Sequence, residues 1–140
     1  MSEEDVKTIM KYPFNMFASD AGIVNFGSGM PHPRAYGTNA RVLGRYVKEL
    51  GVINLEEAIR RMTGLPAQKF NLKNRGLIKE GYFADIVIFD EDEISDASEY
   101  NQPHQYSKGV KFVWVNGALS IDQGVQNKER KGIAIRNINN

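Results

Sequence analysis

The sequence predicts an α+β chain of 140 residues in which helices come first and strands follow. Before about residue 75, apolar side chains recur at the spacing of amphipathic helices. After that point the apolar segments are short and rich in β-branched residues, which favours strands. We therefore divide the chain into a helical segment, residues 1–74, and a β segment, residues 75–140.

Composition and charge exclude several classes of protein. Charged residues make up 25% and apolar residues 41%, which is typical of a folded globular chain. The net charge of +1 gives no electrostatic basis for binding nucleic acid or an anionic membrane. No apolar run approaches the ~20 residues of a membrane span, and the acidic N-terminus is unlike a signal peptide. We expect a soluble, cytoplasmic protein.

The helical segment opens with a capping signal. Ser2 followed by Asp5 is a capping-box pattern, and it predicts a helix that ends before Pro13. Residues 14–18 then favour a short buried strand. Residues 21–38 are rich in glycine and proline, which predicts a loop long enough to have a functional role.

Three further helices are expected before residue 75. Thr38 or Asn39 could cap the second, and Gly51 is well placed to end it. Asn54 is a suitable cap for the third helix. Pro66 lies where it could open a short fourth one.

The β segment is predicted from its apolar runs and one turn. Residues 83–90 form a continuous apolar run, which is typical of a strand covered on both faces. Residues 110–115 and 118–121 flank Asn116–Gly117, the strongest short hairpin signal, because both turn residues accept positive φ. Residues 133–135 could add a last short strand.

Three polar side chains lie in or beside the long loop. Asp20 follows the predicted strand, where a carboxylate could relay protons or bind a metal, although the local residues favour a simple turn. His32 could be a ligand or base, and more often such a histidine is a structural hydrogen-bonding group. Arg34 could hold a carboxylate through two hydrogen bonds or be a solvated surface residue.

A zinc site is not predicted from these residues. The chain has two histidines, the second being His104, and it has no cysteine. Three or four protein ligands would therefore have to include several carboxylates. The absence of cysteine also excludes disulfides and thiolate sites.

Several segments resemble enzymes of the amidohydrolase superfamily. Residues 55–67 resemble the helix and Thr-x-x-Pro-Ala stop that follow the last strand of the barrel. Residues 75–90, with Gly-x-x-Ala-Asp, and residues 113–117 resemble parts of the small β-sandwich in those enzymes. The resemblance implies the C-terminal piece of a (β/α)8 barrel, comprising its last strand plus helices, followed by part of a small β-sandwich.

The first half narrows this resemblance. Ser19–Asp20, residues 32–38 and residues 41–46 are similar to N-acyl-D-amino-acid deacylases, and so is the segment at residues 103–106. In that family a zinc held by the barrel activates a water, which attacks the N-acyl amide carbonyl. An aspartate at the end of the last barrel strand takes the proton of the water and passes it to the leaving amine.

The resemblance implies a role for each loop residue. Asp20 matches the proton-transfer aspartate and would lie near the metal, while Arg34 matches the arginine that holds the substrate α-carboxylate. His32 would contribute to the substrate site by shaping the loop rather than by binding metal. Ser-Asp-Ala-Gly stands where Ser-Asp-Gly is expected, and residues 23–30 are nearly uncharged, which leaves the side-chain specificity open.

The resemblance also implies what the chain lacks. A barrel needs roughly 200 residues or more, so the zinc ligands would lie upstream of this chain. We expect no metal bound to the chain alone, no deacylase activity from it, and the remainder of the barrel as its partner. Residues 14–18 would have lost both neighbouring strands, which should promote self-association.

Two alternatives remain open. A hydantoinase-like or dihydroorotase-like fragment would look similar from residue 55 onward, but we would not expect it to have His32–Arg34 in this context. A free-standing, non-catalytic binding module derived from the superfamily is the other alternative.

Overall fold

The computed structural model describes residues 1–128 and 130–136. Helices precede strands, as predicted. The helical elements are α1 (Glu3–Met10), α2 (Arg34–Arg41), a π-helical segment (Val42–Glu49) that continues α2, α3 (Leu55–Met62) and α4 (Gly64–Lys69). The strands are β1 (Ile86–Phe89), β2 (Val110–Val115), β3 (Ala118–Asp122) and β4 (Val125–Gln126), and they form one antiparallel sheet in the order β1-β2-β3-β4.

The predicted capping box begins α1. The Ser2 hydroxyl accepts from the Asp5 backbone N–H at 3.2 Å, and the Asp5 carboxylate accepts from the Ser2 N–H at 2.9 Å. Each partner satisfies a donor that the first helical turn leaves open. The helix ends at Met10, before Pro13, so this prediction is confirmed.

The prediction of a strand at residues 14–18 is wrong for the described chain. Those residues are irregular and pair with no strand. A strand needs a neighbour that pairs with its backbone groups, and none of the described strands pairs with these residues. The Asn15 side-chain amide donates to the Ile9 carbonyl and its oxygen accepts from Arg61 at 2.8 Å.

The second helix begins earlier than its predicted cap at Thr38 or Asn39. It starts at Arg34, so the irregular stretch before it ends at Pro33. The backbone then passes into the π-helical segment, where the Leu50 N–H donates to the Arg45 carbonyl. Gly51 follows with φ of +56°, the left-handed conformation expected at a helix end.

The third and fourth helices agree with their predicted starts. The Asn54 side chain accepts from the Glu57 N–H at 2.9 Å and caps α3. Pro66 lies in the first turn of α4. One apolar cluster joins α1, α2, the π-helical segment and α3 to Ile94 from the β segment, and its buried members are Met10, Ala40, Val42, Leu43, Tyr46, Ala58 and Ile94.

The predicted hairpin is confirmed. Asn116 and Gly117 have φ of +49° and +81°, and Val115 pairs with Ala118. The backbone N–H of Asn116 donates to the Asp85 carboxylate at 2.8 Å, and Arg75 forms an ion pair with the same carboxylate. The Asp85 carboxylate therefore joins the start of β1 to the hairpin turn.

Two predictions about the sheet are wrong. Val87 and Ile88 in β1 are exposed, so this strand is not covered on both faces within the described residues. Its described hydrogen-bonded neighbour is β2, and the described residues that could pack on its faces leave Val87 55% and Ile88 47% exposed. Residues 133–135 form no strand, and the short β4 pairs with β3 instead.

None of the described helices has the length and apolarity that a membrane span requires.

Candidate functional site

The structure brings Asp20 and Arg34 together. The Arg34 Nη2 atom lies 3.0 Å from the Asp20 Oδ2 atom, across the loop that separates them in sequence. Asp20 has φ of +49°, so the chain bends into the left-handed region where the loop begins. The two residues that the sequence singled out for acid–base chemistry and carboxylate binding are therefore direct neighbours.

This ion pair is open to solvent. The side chains are 87% exposed for Asp20 and 44% exposed for Arg34. An exposed pair contributes only about 0–1 kcal/mol, because water solvates both charges well. The guanidinium also has further N–H donors beyond the one directed at Asp20. The guanidinium is thus available to an incoming anion at little energetic cost.

His32 caps the helix that begins at Arg34. Its Nδ1 atom accepts the Arg34 backbone N–H at 3.1 Å, and its Nε2 atom lies 2.9 Å from the Tyr100 hydroxyl. Because Nδ1 accepts, the neutral ring has its proton on Nε2, which donates to the tyrosine oxygen. One ring nitrogen therefore binds the start of α2 and the other binds Tyr100, so His32 connects the end of the loop to Tyr100.

His104 holds the middle of the loop, a role that the sequence reasoning did not assign. Its Nδ1 atom accepts from the Gly27 N–H at 3.1 Å and faces the Tyr36 hydroxyl at 2.9 Å. Its Nε2 atom lies 2.9 Å from the Gly29 carbonyl oxygen, to which it donates. The signal for this role in the sequence is the segment at residues 103–106, which is similar to N-acyl-D-amino-acid deacylases.

Aromatic contacts support the same loop. Phe26 stacks on Tyr106 with ring centroids 4.9 Å apart, and Tyr36 meets the Tyr106 ring edge-on at 5.7 Å. Aromatic pairs contribute about 0.5–1.5 kcal/mol beyond their buried area. The loop is therefore ordered by side chains from α2 and from residues 103–106.

An open cavity of about 590 Å³ lies between α2 and residues 96–101, and Arg34 is in its wall. On the far side, the Arg41 guanidinium lies 2.9 Å from the Asp96 carboxylate. A Cβ atom on Gly37 would come within 2.8 Å of the Asp96 side chain, so glycine allows this close approach. The cavity wall thus contains two arginines: Arg41, whose partner Asp96 is largely buried, and Arg34, whose partner Asp20 is exposed to solvent.

The described residues do not fit a metal centre. No group of three or more histidine, aspartate or glutamate side chains is arranged to hold an ion within residues 1–128 and 130–136. The Asp20 oxygen that is closest to a partner faces a guanidinium, which would repel a cation.

The chain is similar in sequence and fold to known deacylases. D-aminoacylase of Alcaligenes xylosoxydans xylosoxydans is 42% identical over 118 residues, which is 84% of this chain and 24% of that protein. A crystal structure of D-aminoacylase superposes with a TM-score of 0.85 at 38% identity, covering 92% of this chain and 27% of the other. N-acyl-D-glutamate deacylase from Bordetella bronchiseptica, solved with zinc and a phosphonate mimic of the tetrahedral intermediate, gives 0.80 at 38% identity, covering 91% and 28%.

A weaker similarity extends to another enzyme. Dihydroorotase of Endomicrobium trichonymphae is 52% identical over 40 residues, which is 29% of this chain and 10% of that enzyme. The chain spans about a quarter of the length of the deacylases that it matches. The sequence profile of the amidohydrolase family matches residues 3–121, which is most of the chain. With that match and a shared fold at 38% identity, the chain belongs to the amidohydrolase family.

Proposed function

We propose that the chain forms the C-terminal part of a zinc-dependent amidohydrolase that hydrolyses the amide bond of N-acyl-D-amino acids. Residues 1–74 would supply the end of the barrel, and residues 75–140 part of the small β-sandwich. Residues 14–18 would gain, in the complete barrel, the strand neighbours that they lack here. Family membership supports this proposal, and the contact between Asp20 and Arg34 is the observation on which it rests.

The contact suits the geometry of an N-acyl amino acid. In such a substrate one carbon atom separates the α-carboxylate from the nitrogen of the scissile amide. A proton-transfer group and a carboxylate-binding group must therefore lie close together, and Asp20 lies 3.0 Å from Arg34. A substrate held by its carboxylate on the guanidinium would place its amide within reach of the aspartate.

Asp20 would act as the proton carrier. It would accept a proton from the attacking water and deliver it to the leaving nitrogen, which releases the acyl group as an acid and the D-amino acid as an amine. General acid–base catalysis of this kind contributes roughly 10²- to 10⁴-fold to a rate. The exposed ion pair with Arg34 is weak enough for a substrate carboxylate to replace Asp20 on the guanidinium.

Zinc would have to be held by residues other than those described. The related N-acyl-D-glutamate deacylase contains zinc, whereas the described residues do not form a metal centre. The remainder of the barrel is thus the proposed partner of this chain, and the exposed apolar side chains of Phe14, Met30 and Ile78 are available for such contacts. The cytoplasmic location stays a prediction.

A chimera tests the proposal. Residues 3–121 would replace the matching segment of the Alcaligenes D-aminoacylase, and hydrolysis of N-acetyl-D-leucine would be followed. Asp20→Asn should lower kcat by roughly 10²- to 10⁴-fold. Arg34→Lys should raise KM about tenfold, because a bidentate contact is replaced by a point charge. Arg60→Lys, in α3, should change neither constant and is the matched control.

The chimera also separates the alternatives. The short match to dihydroorotase favours a cyclic-amidohydrolase fragment as the second candidate. Faster hydrolysis of a cyclic amide than of N-acetyl-D-leucine would select that candidate. A folded chimera that hydrolyses neither substrate would contradict the proposal and favour a non-catalytic binding module.

A further inference from the structure

We infer that Tyr100 is a positioning residue for the substrate carboxylate, acting on Arg34 through the imidazole of His32. This inference rests on the proposed function, in which Arg34 holds the α-carboxylate. Tyr100 belongs to the β segment and is distant in sequence from the loop that it contacts. Its ring does not reach the Asp20 carboxylate by any described contact, so its effect would be indirect.

Two contacts hold the imidazole ring from the side of Tyr100. The hydroxyl lies 2.9 Å from the His32 Nε2 atom, and the two rings meet edge-on with centroids 5.0 Å apart. The hydrogen bond sets the rotation of the imidazole ring, and the edge contact limits its tilt. The same bond suits the Nε2–H tautomer, which the Arg34 N–H on Nδ1 also selects.

The imidazole in turn begins helix α2. The first backbone N–H groups of a helix have no partner inside the helix. Pro33 precedes Arg34 and has no side-chain acceptor to cap the helix. The Nδ1 atom of His32 supplies that acceptor for the Arg34 N–H at 3.1 Å. Because Arg34 is the first residue of α2, the direction of its side chain follows the geometry of this turn.

Tyr100 lies on a braced turn. The backbone groups of Glu99 and Gln102 exchange two hydrogen bonds of 3.2 Å around it. At the base of this turn, the buried Ser98 hydroxyl donates to the Pro103 carbonyl at 2.6 Å. The turn can therefore act as a fixed support for the imidazole ring rather than follow its motion.

Because Tyr100 is exposed, a substitution there can test its positioning role without disturbing the packing of the core. Its side chain is 74% exposed, so loss of the hydroxyl leaves no buried polar group and no internal cavity. Tyr100→Phe would keep the ring contact and remove only the hydrogen bond. Tyr12 is also exposed, at 60%, and meets Phe14 edge-on with ring centroids 5.7 Å apart. Tyr12→Phe is therefore the matched control.

The first experiment uses the 140-residue chain itself and needs no activity. Nitrogen-15 NMR reports which imidazole nitrogen carries the proton, and the chain has only two histidines. At pH 8.5 the signals of His32 should be those of the Nε2–H form. Tyr100→Phe should shift the His32 Nε2 signal, because that N–H loses its hydrogen-bond partner, while His104 stays unchanged as the internal reference. Unchanged His32 signals in Tyr100→Phe would overturn the inference.

The second experiment measures how much the substrate carboxylate contributes to kcat/KM. In the chimera described above, kcat/KM would be compared for N-acetyl-D-leucine and for its primary amide, which lacks the carboxylate. Tyr100→Phe should lower the preference for the acid about fivefold, the usual factor for one hydrogen bond of ordinary net strength. The effect should appear in KM rather than in kcat, and Tyr12→Phe should leave the preference unchanged.

The outcomes distinguish this inference from the proposed function. If Arg34→Lys leaves the preference for the acid unchanged, Arg34 does not hold the carboxylate and the proposed function fails with it. If Arg34→Lys lowers the preference and Tyr100→Phe does not, the proposed function stands and the positioning role of Tyr100 is refuted.

Discussion

Arg61 is expected to stabilise the helical segment more than any surface charge near it. Its side chain is only 2% exposed. The guanidinium donates to the Met10 carbonyl, to Asn15 Oδ1 at 2.8 Å and to Glu57 Oε1 at 2.7 Å. These contacts join the end of α1, the irregular residues before Asp20, and α3.

The expected loss for Arg61→Ala follows from those contacts. Removing one partner of a buried, hydrogen-bonded charge typically costs about 3–5 kcal/mol, because the groups left behind stay desolvated and unpaired. A chain of this size is stable by only about 5–15 kcal/mol, so this variant should be close to unfolding. Arg61→Lys should retain part of the stability, since an ammonium cannot match three separate acceptors in the same way.

The neighbouring Arg60 provides a control on the same helix. It also donates to Glu57 and to a backbone carbonyl, that of Pro13, but its side chain is 43% exposed. Arg60→Ala should therefore cost much less stability than Arg61→Ala. Urea unfolding followed by far-ultraviolet circular dichroism measures both losses. If Arg61→Ala loses no more stability than Arg60→Ala, the reasoning from burial is refuted.

Four further predictions concern pH, the loop, metal and assembly. Hydrogen bonds from Arg60 and Arg61 lower the pKa of Glu57 from 4.5 to about 2. The contribution of Glu57 to stability should therefore be complete above pH 4.5 and disappear as the pH falls towards 2. The urea concentration at the unfolding midpoint should fall over this pH range, and Glu57→Gln should reduce that fall. His104→Ala should remove the contacts that hold the loop at Gly27 and Gly29, so chymotrypsin should cut faster after Phe26 while cleavage after Phe14 keeps its rate. If the variant and the unaltered chain are cut after Phe26 at the same rate, His104 does not hold the loop. Titration calorimetry of the 140-residue chain with zinc should detect no tight binding, and a submicromolar Kd would be the contrary result. Light scattering at ~100 μM should show self-association, and a clean monomer would argue against it.

Short-range signals in the sequence were sufficient for several elements. The caps at Ser2 and Asn54 were predicted because each contacts a backbone group three residues away. The hairpin at Asn116–Gly117 was predicted because its turn depends on the φ preferences of those two residues. Such contacts need no information about the rest of the fold.

Long-range contacts account for the wrong boundaries. The second helix starts at Arg34 rather than at Thr38 or Asn39, because an imidazole held by the distant Tyr100 supplies its first acceptor. Residues 14–18 have a strand-like composition, yet composition cannot supply the neighbouring strand that backbone pairing needs. Burial of Arg61 was also missed, since it depends on acceptors from α1 and the segment after it.

The candidate site also depends partly on local sequence signals and partly on long-range contacts. The sequence singled out Asp20, His32 and Arg34 as candidates, although the local residues favoured a turn at Asp20 and a structural role for His32. The resemblance to N-acyl-D-amino-acid deacylases implied their functional roles. Only the tertiary structure brought the Asp20 carboxylate within 3.0 Å of Arg34 and placed His104 against the loop backbone. The Asp20–Arg34 contact joins the two ends of a long loop, and the His104 contacts join that loop to the segment after β1, so no local pattern could reveal either of them.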